Sequence, residues 1–440
     1  MNSSLQLSLF PDEQPDTKPE AGAHLRRQRS GTFTDNMKLP VHQWFRYSAG
    51  FSAEWVQAVI ERYKKEEPLS ILDPFAGSGT TLLAADAAGQ NCIGFETHPF
   101  IYRVAQAKLL WYLNPYALFH YADEVVQRAR RSGMSTSRQH IPLLQKCYTE
   151  ENLAKLDALR EQYLKLRKED DPIWELVWLI LTAILRPCST AGTAQWQYIL
   201  PNKKKSKVLD PFSAFTEKAK EIAHGMLFVQ RTGWKHNARM FLTDARNPNI
   251  PIKEAFDLVI TSPPYPNNYD YADATRLEMT FWGEVSGWGD LQGAVRQHLV
   301  RSCSQHSAAE RLTLSDLLAD PLLAPIYKEV TVVCQDLEKI RESKGGRKTY
   351  HTMVAAYFID LANVWRILRH FCKDGSTVCF VIGDCAPYGI YVPVDKWLGE
   401  LALAAGFQQY RFEKIRDRNI KWKNRKHKIP LHEGQLWVEG

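Results

Sequence analysis

Short runs of apolar and β-branched residues recur along the chain, and longer stretches with helical spacing separate them. Five of these runs have the length of strands: LSILD (69–73), NCIGFE (91–96), ARMFLTD (238–244), FDLVIT (256–261) and STVCFVIGD (376–384). Continuous apolar strands bounded by turn residues are typical of a parallel sheet that helices cover on both faces. The pattern therefore predicts an α/β fold with a doubly wound, mostly parallel sheet.

Two long segments interrupt this alternation. Residues 103–235 have helical spacing and include a basic loop, NKKKSK, at 202–207, and residues 283–349 are predicted to be mostly helical. We interpret both as helical insertions on one sheet. The polar, Pro/Ser/Gln-rich residues 1–30 are predicted to be disordered. The core is then divided into residues 31–102, 236–282 and 350–440.

A glycine-rich turn follows the first predicted strand. In ILDPFAGSGTT (71–81), Gly77 and Gly79 allow the backbone to approach a ligand closely before a helix begins. The turn lacks the Gly-Lys-Ser/Thr of a P-loop and the third glycine of the dinucleotide pattern. Glu96 ends the next strand about 20 residues later, where an acid can bind ribose hydroxyls, and Asp244 follows the strand after that. These features predict a nucleoside pocket.

A second turn, SPPY, follows the strand FDLVI and faces the same crevice, because ligands of doubly wound sheets lie beyond the carboxyl ends of the strands. Pro263 and Pro264 fix φ and supply no amide hydrogens, which leaves carbonyls free to accept. Ser262 adds a hydroxyl acceptor and Tyr265 a flat face. Such a turn can hold the hydrogens of a ligand's amine group while an aromatic ring stacks on the tyrosine. The alternative is an ordinary strand-ending turn that contains two prolines.

Taken together, DPFAGSGTT and ITSPPY resemble the amino-methyltransferases of DNA that use S-adenosylmethionine. The resemblance implies a Rossmann-like methyltransferase fold and direct methyl transfer to a base that has been flipped out of the duplex. It implies that the first turn and the two strand-ending acids bind the cofactor and that the second turn is catalytic. The implied cofactor-binding residues are Asp73, Phe75, Gly77, Gly79, Glu96 and Asp244, and the implied catalytic residues are Ser262, Pro263, Pro264 and Tyr265.

The form ITSPPY resembles the cytosine-N4 type of this family, whereas Asp or Asn before Pro-Pro is typical of adenine-N6 enzymes. Adenine N6 therefore stays open as an alternative. An RNA amino-methyltransferase shares both turns but usually carries an amino-terminal RNA-binding domain, where this chain has a polar tail. A non-catalytic DNA-binding module would lack at least one key residue, and none is missing. Target recognition is expected from the two insertions, and the resemblance allows a restriction endonuclease as a partner.

The amino-acid composition indicates the cellular environment in which the protein is expected to work. The eight cysteines form no C-x-x-C pair and no zinc-spaced cluster, which favours a reducing, cytoplasmic environment without a structural metal. The longest apolar run, WELVWLILTAILRP (174–187), is shorter than the ~20 residues that a bilayer requires and is predicted to be a buried helix. The amino terminus lacks the features of a secretory signal.

The net charge of +7 comes from one segment. Residues 411–430 contain nine Lys/Arg and two Asp/Glu, and the rest of the chain carries 47 charges of each sign. Such a segment suits contact with the phosphates of double-stranded DNA, the alternative being a solvated charged hairpin. The candidate phosphate-binding residues are Lys421, Lys423, Arg425, Lys426 and Lys428.

The tail contains one apolar cluster, QLSLF, whose candidate contact residues are Gln6, Leu7, Leu9 and Phe10. These five residues resemble the peptide by which bacterial replication and repair proteins bind the sliding clamp, and short motifs of this kind order on a partner's groove. The alternatives are a chance cluster or a strap that folds back on the protein.

Overall fold

A computed structural model describes residues 33–133, 141–194, 197–309, 312–345, 348–418 and 430–440 of the chain. The strands in this part are β1 (Ser70–Asp73), β2 (Asn91–Glu96), β3 (Ala191–Thr193), β4 (Ile199–Lys204), β5 (Ala238–Leu242), β6 (Phe256–Thr261), β7 (Cys372–Gly383), β8 (Gln409–Arg418) and β9 (Leu431–Glu439). All five predicted strands are present, and β2 and β6 have the predicted bounds.

The described helices alternate with the core strands and fill both insertions. They are α1 (Ala53–Tyr63), α2 (Thr80–Ala87), α3 (Pro99–Leu109), α4 (Pro115–Arg131), α5 (Pro142–Cys147), α6 (Glu150–Leu166), α7 (Ile173–Cys188), α8 (Pro211–Arg231), α9 (Arg276–Trp282), α10 (Leu291–Ala294), α11 (Ser304–Ala309), α12 (Leu314–Leu318), α13 (Tyr327–Arg341), α14 (Tyr350–Phe371) and α15 (Val394–Ala404). The helix α7 contains the predicted buried apolar run and is buried along most of its length.

Seven strands form one sheet in the order β5-β2-β1-β6-β7-β9-β8. The ladders from β5 to β7 are all parallel, and β9 runs antiparallel to both of its neighbours, β7 and β8. The order differs from the dinucleotide-binding order 3-2-1-4-5-6 because an antiparallel last strand lies between the fifth and sixth. This arrangement confirms the predicted α/β class with a mostly parallel sheet.

The central strands are buried on both faces. Successive residues of β1, Ile71 and Leu72, belong to apolar clusters on opposite sides of the sheet, and β6 divides Leu258 and Val259 in the same way. One cluster continues into the helices of the first insertion and the other packs against α13, α14 and α15. Burial on both sides explains why these strands are continuous apolar runs in the sequence.

The predicted basic loop at 202–207 is only partly a loop. Residues 202–204 belong to β4, which pairs antiparallel with β3 to form a two-stranded hairpin inside the first insertion. Lys203 and Lys204 are exposed on this hairpin. Lys204 pairs with Ala191 across the hairpin while the exposed lysine side chains face solvent, so the charged sequence does not prevent strand formation.

The sequence pattern does not reveal β8 and β9. Most of the side chains of β8 are exposed or half-buried, and the strand carries charged residues along its length, QYRFEKIRDR. The neighbouring strand β9 is buried along most of its length, and the amide of Gly440 donates to the carbonyl of Ser376 at 3.1 Å. The carboxyl-terminal strand therefore lies inside the sheet, between β7 and the edge strand β8.

Candidate active site

One open pocket lies beyond the carboxyl ends of the parallel strands, and the space between its walls, including the mouth, is about 1270 Å³. Eight of the predicted residues line it: Phe75, Gly77, Glu96, Asp244, Ser262, Pro263, Pro264 and Tyr265. We call the side lined by Tyr47, Phe75, Gly77, Glu96 and Asp244 the glycine half, and the side lined by Ser262, Tyr265, Arg416, Arg418 and Glu433 the proline half.

Asp73 and Gly79 do not line the pocket. Asp73 is fully buried, and its Oδ1 accepts hydrogen bonds from the Thr261 hydroxyl at 2.6 Å and the Phe75 amide at 3.1 Å. Gly79 precedes α2 with φ of 88°, a left-handed conformation that favours glycine. Asp73 thus ties the end of β1 to the end of β6, and Gly79 allows the turn into the helix.

In the glycine half, Glu96 is held by backbone amides. Its Oε2 accepts from the Gly77 amide at 2.9 Å and its Oε1 from the His98 amide at 2.8 Å. Burial raises the pKa of Glu96 to about 7, although these hydrogen bonds act in the opposite direction. A partly buried carboxylate that is fixed in this way can accept hydrogen bonds from a ligand's hydroxyl groups.

A segment before α1, residues 47–51, forms a wall of the glycine half that the sequence analysis missed. The Tyr47 ring is buried beside Gly77, where an added Cβ would lie 3.5 Å from the ring. The side chain of Gln197, from the β3–β4 hairpin, accepts from the Ser48 amide at 2.6 Å and donates to the Arg46 carbonyl at 2.8 Å. A short aromatic and glycine-containing segment before the first helix, RYSAGFS, is the only sequence signal for this wall.

Asp244 lines the glycine half but is already paired. The Arg246 guanidinium donates to both of its carboxylate oxygens at 2.5–3.0 Å. Arg246 also contacts the buried carboxylate of Asp360 at 3.0 Å, which Arg301 contacts at 2.8 Å from another direction. The structure therefore places Asp244 at the pocket as a member of a charge network.

In the proline half, Ser262 donates its hydroxyl hydrogen to the Val381 carbonyl at 3.1 Å, and its hydroxyl also lies within hydrogen-bonding reach of the Tyr265 side chain. A hydroxyl oxygen has two lone pairs, so Ser262 can still accept from a ligand. The Tyr265 carbonyl accepts from the Asn267 amide at 2.7 Å, which closes the turn. The ring of Tyr265 is half-buried, and burial raises its pKa above the ordinary value. Tyr265 is therefore a neutral, flat surface at neutral pH.

Three charged side chains from the carboxyl-terminal hairpin, Arg416, Arg418 and Glu433, complete the proline half. The Arg418 guanidinium carbon lies 5.5 Å from the centre of the Tyr265 ring, and its Nη1 donates to the Asp384 carbonyl at 2.8 Å. The buried Glu433 carboxylate accepts from Arg416 at 2.9 and 3.0 Å. The sequence of this segment indicates only a source of charge, because nothing in it indicates the β8–β9 pairing that turns it towards the pocket.

Both insertions brace the loop that follows the SPPY turn. Arg296, from the second insertion, donates to the Asp270 carboxylate at 2.7 Å, and both side chains are buried. The Tyr198 hydroxyl, from the first insertion, accepts from the Asp270 amide at 2.7 Å. Tyr269 and Tyr271, on either side of Asp270, line the pocket. Both insertions therefore contact the loop that carries Tyr269 and Tyr271 to the pocket.

Several predicted features lie outside the described residues: the basic side chains Lys421 to Lys428 and the motif at residues 6–10. All eight cysteines are buried and unpaired. Within the part of the chain that the structure covers, no cluster of His, Cys, Asp or Glu could hold a metal ion. No described helix is long and apolar enough to span a membrane.

The chain resembles known proteins over most of its length. Residues 16–107 match the family model described as DNA methylase. The type II methyltransferase M.BsoBI of Geobacillus stearothermophilus is 26% identical over 438 residues, 88% of this chain and 82% of the relative. The type II methyltransferase M.AvaI of Nostoc is 26% identical over 418 residues, 86% of this chain and 81% of the relative. An rRNA methyltransferase of Streptomyces viridochromogenes aligns with a TM-score of 0.31 at 11% identity, covering 91% of this chain and 85% of that one.

Strand order and pocket together define an α/β methyltransferase with a Rossmann-like fold. The fold assignment depends on the sheet order, since a TM-score of 0.31 carries no weight. Within this class, the matched family model and the type II methyltransferase relatives support the family of DNA amino-methyltransferases, which includes cytosine-N4 and adenine-N6 enzymes.

Proposed function

We propose that the protein transfers a methyl group from S-adenosylmethionine to the N4 amine of a cytosine that is flipped out of double-stranded DNA. This proposal rests on one observation, which is that two turns of the chain line the same pocket. Gly77 and Glu96 form one wall, and Ser262 to Tyr265 form another. The proposal places a nucleoside cofactor in the glycine half and a base in the proline half.

The glycine half fits the cofactor. Gly77 has φ of 53° and brings backbone to the pocket wall without a side chain, and the Glu96 carboxylate is fixed by two amides beside it. Phe75 and Gly77 would contact the methionine part, Glu96 the ribose hydroxyls, and Asp244 the region of the adenine. Asp73 and Gly79 would act through the shape of the turn. The bound cofactor supplies a methyl group that is activated by a sulfonium.

The proline half fits an exocyclic amine. The Ser262 oxygen, whose hydrogen is donated to Val381, would accept one amine hydrogen, and the proline turn would supply a carbonyl for the other. Acceptors in fixed positions favour the pyramidal, nucleophilic nitrogen, which gains the methyl group and loses one hydrogen as a proton. Stacking on Tyr265 would hold the ring of the base in place. A base inside a duplex cannot reach this pocket, so flipping is required.

Cytosine N4 is favoured over adenine N6 by the residues ITSPPY, which resemble the cytosine-N4 type. Both substrates present an amine on an aromatic ring, so the same turn serves either reaction. An adenine-N6 activity is therefore the alternative within the family.

The test is to incubate plasmid DNA and total RNA in parallel with labelled cofactor, digest both to nucleosides and identify the modified nucleoside by mass. We expect N4-methylcytidine in its deoxy form from the DNA and no label in the RNA. N6-methyladenine in DNA would support the alternative within the family. Label in RNA alone, or in neither nucleic acid, would refute the proposal.

For the basic segment we propose contact with DNA phosphates through Lys421, Lys423, Arg425, Lys426 and Lys428. Charge reversal at Lys423 and Arg425 should weaken DNA binding irrespective of the DNA sequence. The slope of the logarithm of the binding constant against the logarithm of the salt concentration should become shallower by about one unit per lost contact. An unchanged salt slope would indicate a solvated hairpin.

For the motif QLSLF we propose binding to a sliding clamp, which would raise the concentration of the enzyme near newly replicated DNA. A labelled peptide of residues 1–20 should bind purified clamp in anisotropy titrations, and Leu9→Ala/Phe10→Ala should abolish this binding. Equal binding by the double variant would contradict the proposal. A restriction endonuclease partner is likewise a proposal, consistent with relatives that are named type II methyltransferases.

A further inference from the structure

The proline half contains a cation that has no carboxylate partner among the described residues. Arg416 pairs with Glu433, whereas Arg418 has only the Asp384 carbonyl as a hydrogen-bond partner in the described part of the chain. A guanidinium has five N–H donors, so most of those of Arg418 stay available. Donors of a cation at a pocket wall are available to the acceptors of a ligand, with which they form strong, charge-assisted hydrogen bonds.

Arg418 lies next to the ring on which the base would stack. Its guanidinium carbon lies 5.5 Å from the Tyr265 ring centre, compared with 4.0 Å for Arg296 over Trp288 and 4.1 Å for Arg103 over Trp178. Arg418 therefore lies over the Tyr265 ring but further from it than these two closely stacked cations lie from theirs. A base that enters the pocket beside Tyr265 would come within reach of the guanidinium.

Gly383 allows this arrangement. A Cβ at this position would lie 2.5 Å from Arg418 Nη1 and 3.2 Å from Tyr265 Cε2. Both side chains therefore pack against a backbone surface that only glycine provides. The aromatic ring and the guanidinium form one unit at the end of β7, in the same pocket as Ser262.

We infer that Arg418 reads the ring of the target base by donating hydrogen bonds to N3 and O2 of cytosine; the inference rests on the proposed function. These two acceptors are adjacent in cytosine and match the fork of a guanidinium, whereas the corresponding edge of adenine has one acceptor, N1, beside a C–H group. Arg418 is thus a specificity residue, distinct from Ser262, which holds the amine.

The test combines a protein variant with an altered base. The substrate is a duplex that contains the cytosine methylated by the unmodified protein. On this duplex, Arg418→Met should lower kcat/KM about 10- to 150-fold, because hydrogen bonds from a charged donor are lost. Cofactor affinity, measured by calorimetry, should stay within about twofold. A second substrate carries 3-deazacytosine, which has C–H in place of N3, at the target position. This substrate should lower the activity of the unmodified protein. In Arg418→Met, which has already lost the contact, the same substrate should lower the activity by less than about a further threefold.

Arg411→Met is the matched control. Arg411 lies on the same strand, pairs with Glu413 on the surface and does not line the pocket, so its loss should leave the activity and the effect of 3-deazacytosine unchanged. Full activity of Arg418→Met, or losses from the variant and the altered base that simply add, would overturn the role of Arg418 while leaving cytosine methylation intact. Methylation of adenine, of RNA or of neither nucleic acid by the unmodified protein would overturn the proposed function, and this inference with it.

Discussion

Around Gly77 and Glu96, the glycine half of the pocket is assembled from neighbouring residues and backbone amides, whereas the proline half is assembled from distant side chains. Gly77, Glu96 and His98 lie within 22 residues of one another, and two amides hold the carboxylate. In the proline half, Tyr265 meets Arg418 from a strand more than 150 residues later. The difference indicates that a local turn and strand build the Gly77–Glu96 part of the glycine half, while the proline half depends on the complete sheet and both insertions.

The largest expected effect comes from breaking the buried brace of the proline half. Arg296→Met leaves the Asp270 carboxylate buried without its partner, and we expect the free energy of unfolding to fall by about 3–5 kcal/mol. Chemical denaturation measures this loss. The double variant Arg296→Met/Asp270→Asn removes the unpaired charge and should recover part of the stability. If the double variant is as unstable as the single one, the ion pair is not the reason.

A second way to separate the halves is to remove the residues that would hold the base. Ser262→Ala and Tyr265→Ala should each lower methyl transfer by about 100-fold or more, since both groups would act on the reacting base. Cofactor affinity should change by no more than a few-fold. Full activity in either variant would remove that residue from the mechanism, and a parallel loss of cofactor affinity would mean that the halves are not independent.

The converse experiment removes the carboxylate that would bind the cofactor in the glycine half and leaves the residues of the proline half intact. Glu96→Ala should weaken cofactor binding by about 1.5–3 kcal/mol, because charge-assisted hydrogen bonds to the ribose are lost. Calorimetry measures the dissociation constant. Glu175→Ala, which removes a partly exposed carboxylate outside the pocket, serves as the comparison and should leave binding unchanged. Unchanged binding by Glu96→Ala would reject the ribose role.

The smallest expected effect is a dependence of cofactor affinity on pH that arises from Glu96 in the glycine half. The pKa of Glu96 is raised to about 7 by burial, so its carboxylate form is lost as pH falls through 7. If the carboxylate is the form that binds ribose, cofactor affinity should fall about tenfold from pH 8 to pH 6. Burial also raises the pKa of Asp73, to about 6, so Glu96→Gln is the control that isolates the Glu96 contribution. An identical pH profile in that variant would assign the dependence elsewhere.

The same contrast explains how much of the site could be predicted from sequence. Glu96 could be placed because it ends an apolar strand at a fixed distance from a glycine turn, and both features are local. Arg418 and Glu433 could not, because their position depends on β9 inserting between β7 and β8. The charged sequence of β8 hides this pairing, since its exposed edge lacks the apolar pattern by which buried strands are recognised. The Tyr47 wall was missed for a similar reason, because it is held in place by Gln197, 150 residues away.

The interior position of β9 has a consequence for synthesis of the protein. Residues 431–439 pair with β7 on one side and β8 on the other, so the sheet cannot close before this segment has left the ribosome. Until then, the edge of β7 and the apolar side chains that β9 covers are exposed, which makes an incomplete chain prone to aggregation and dependent on chaperones. Glu433 also reaches the pocket only at this stage. We therefore expect ribosome-stalled chains that lack these residues to be inactive, however completely their amino-terminal part has folded.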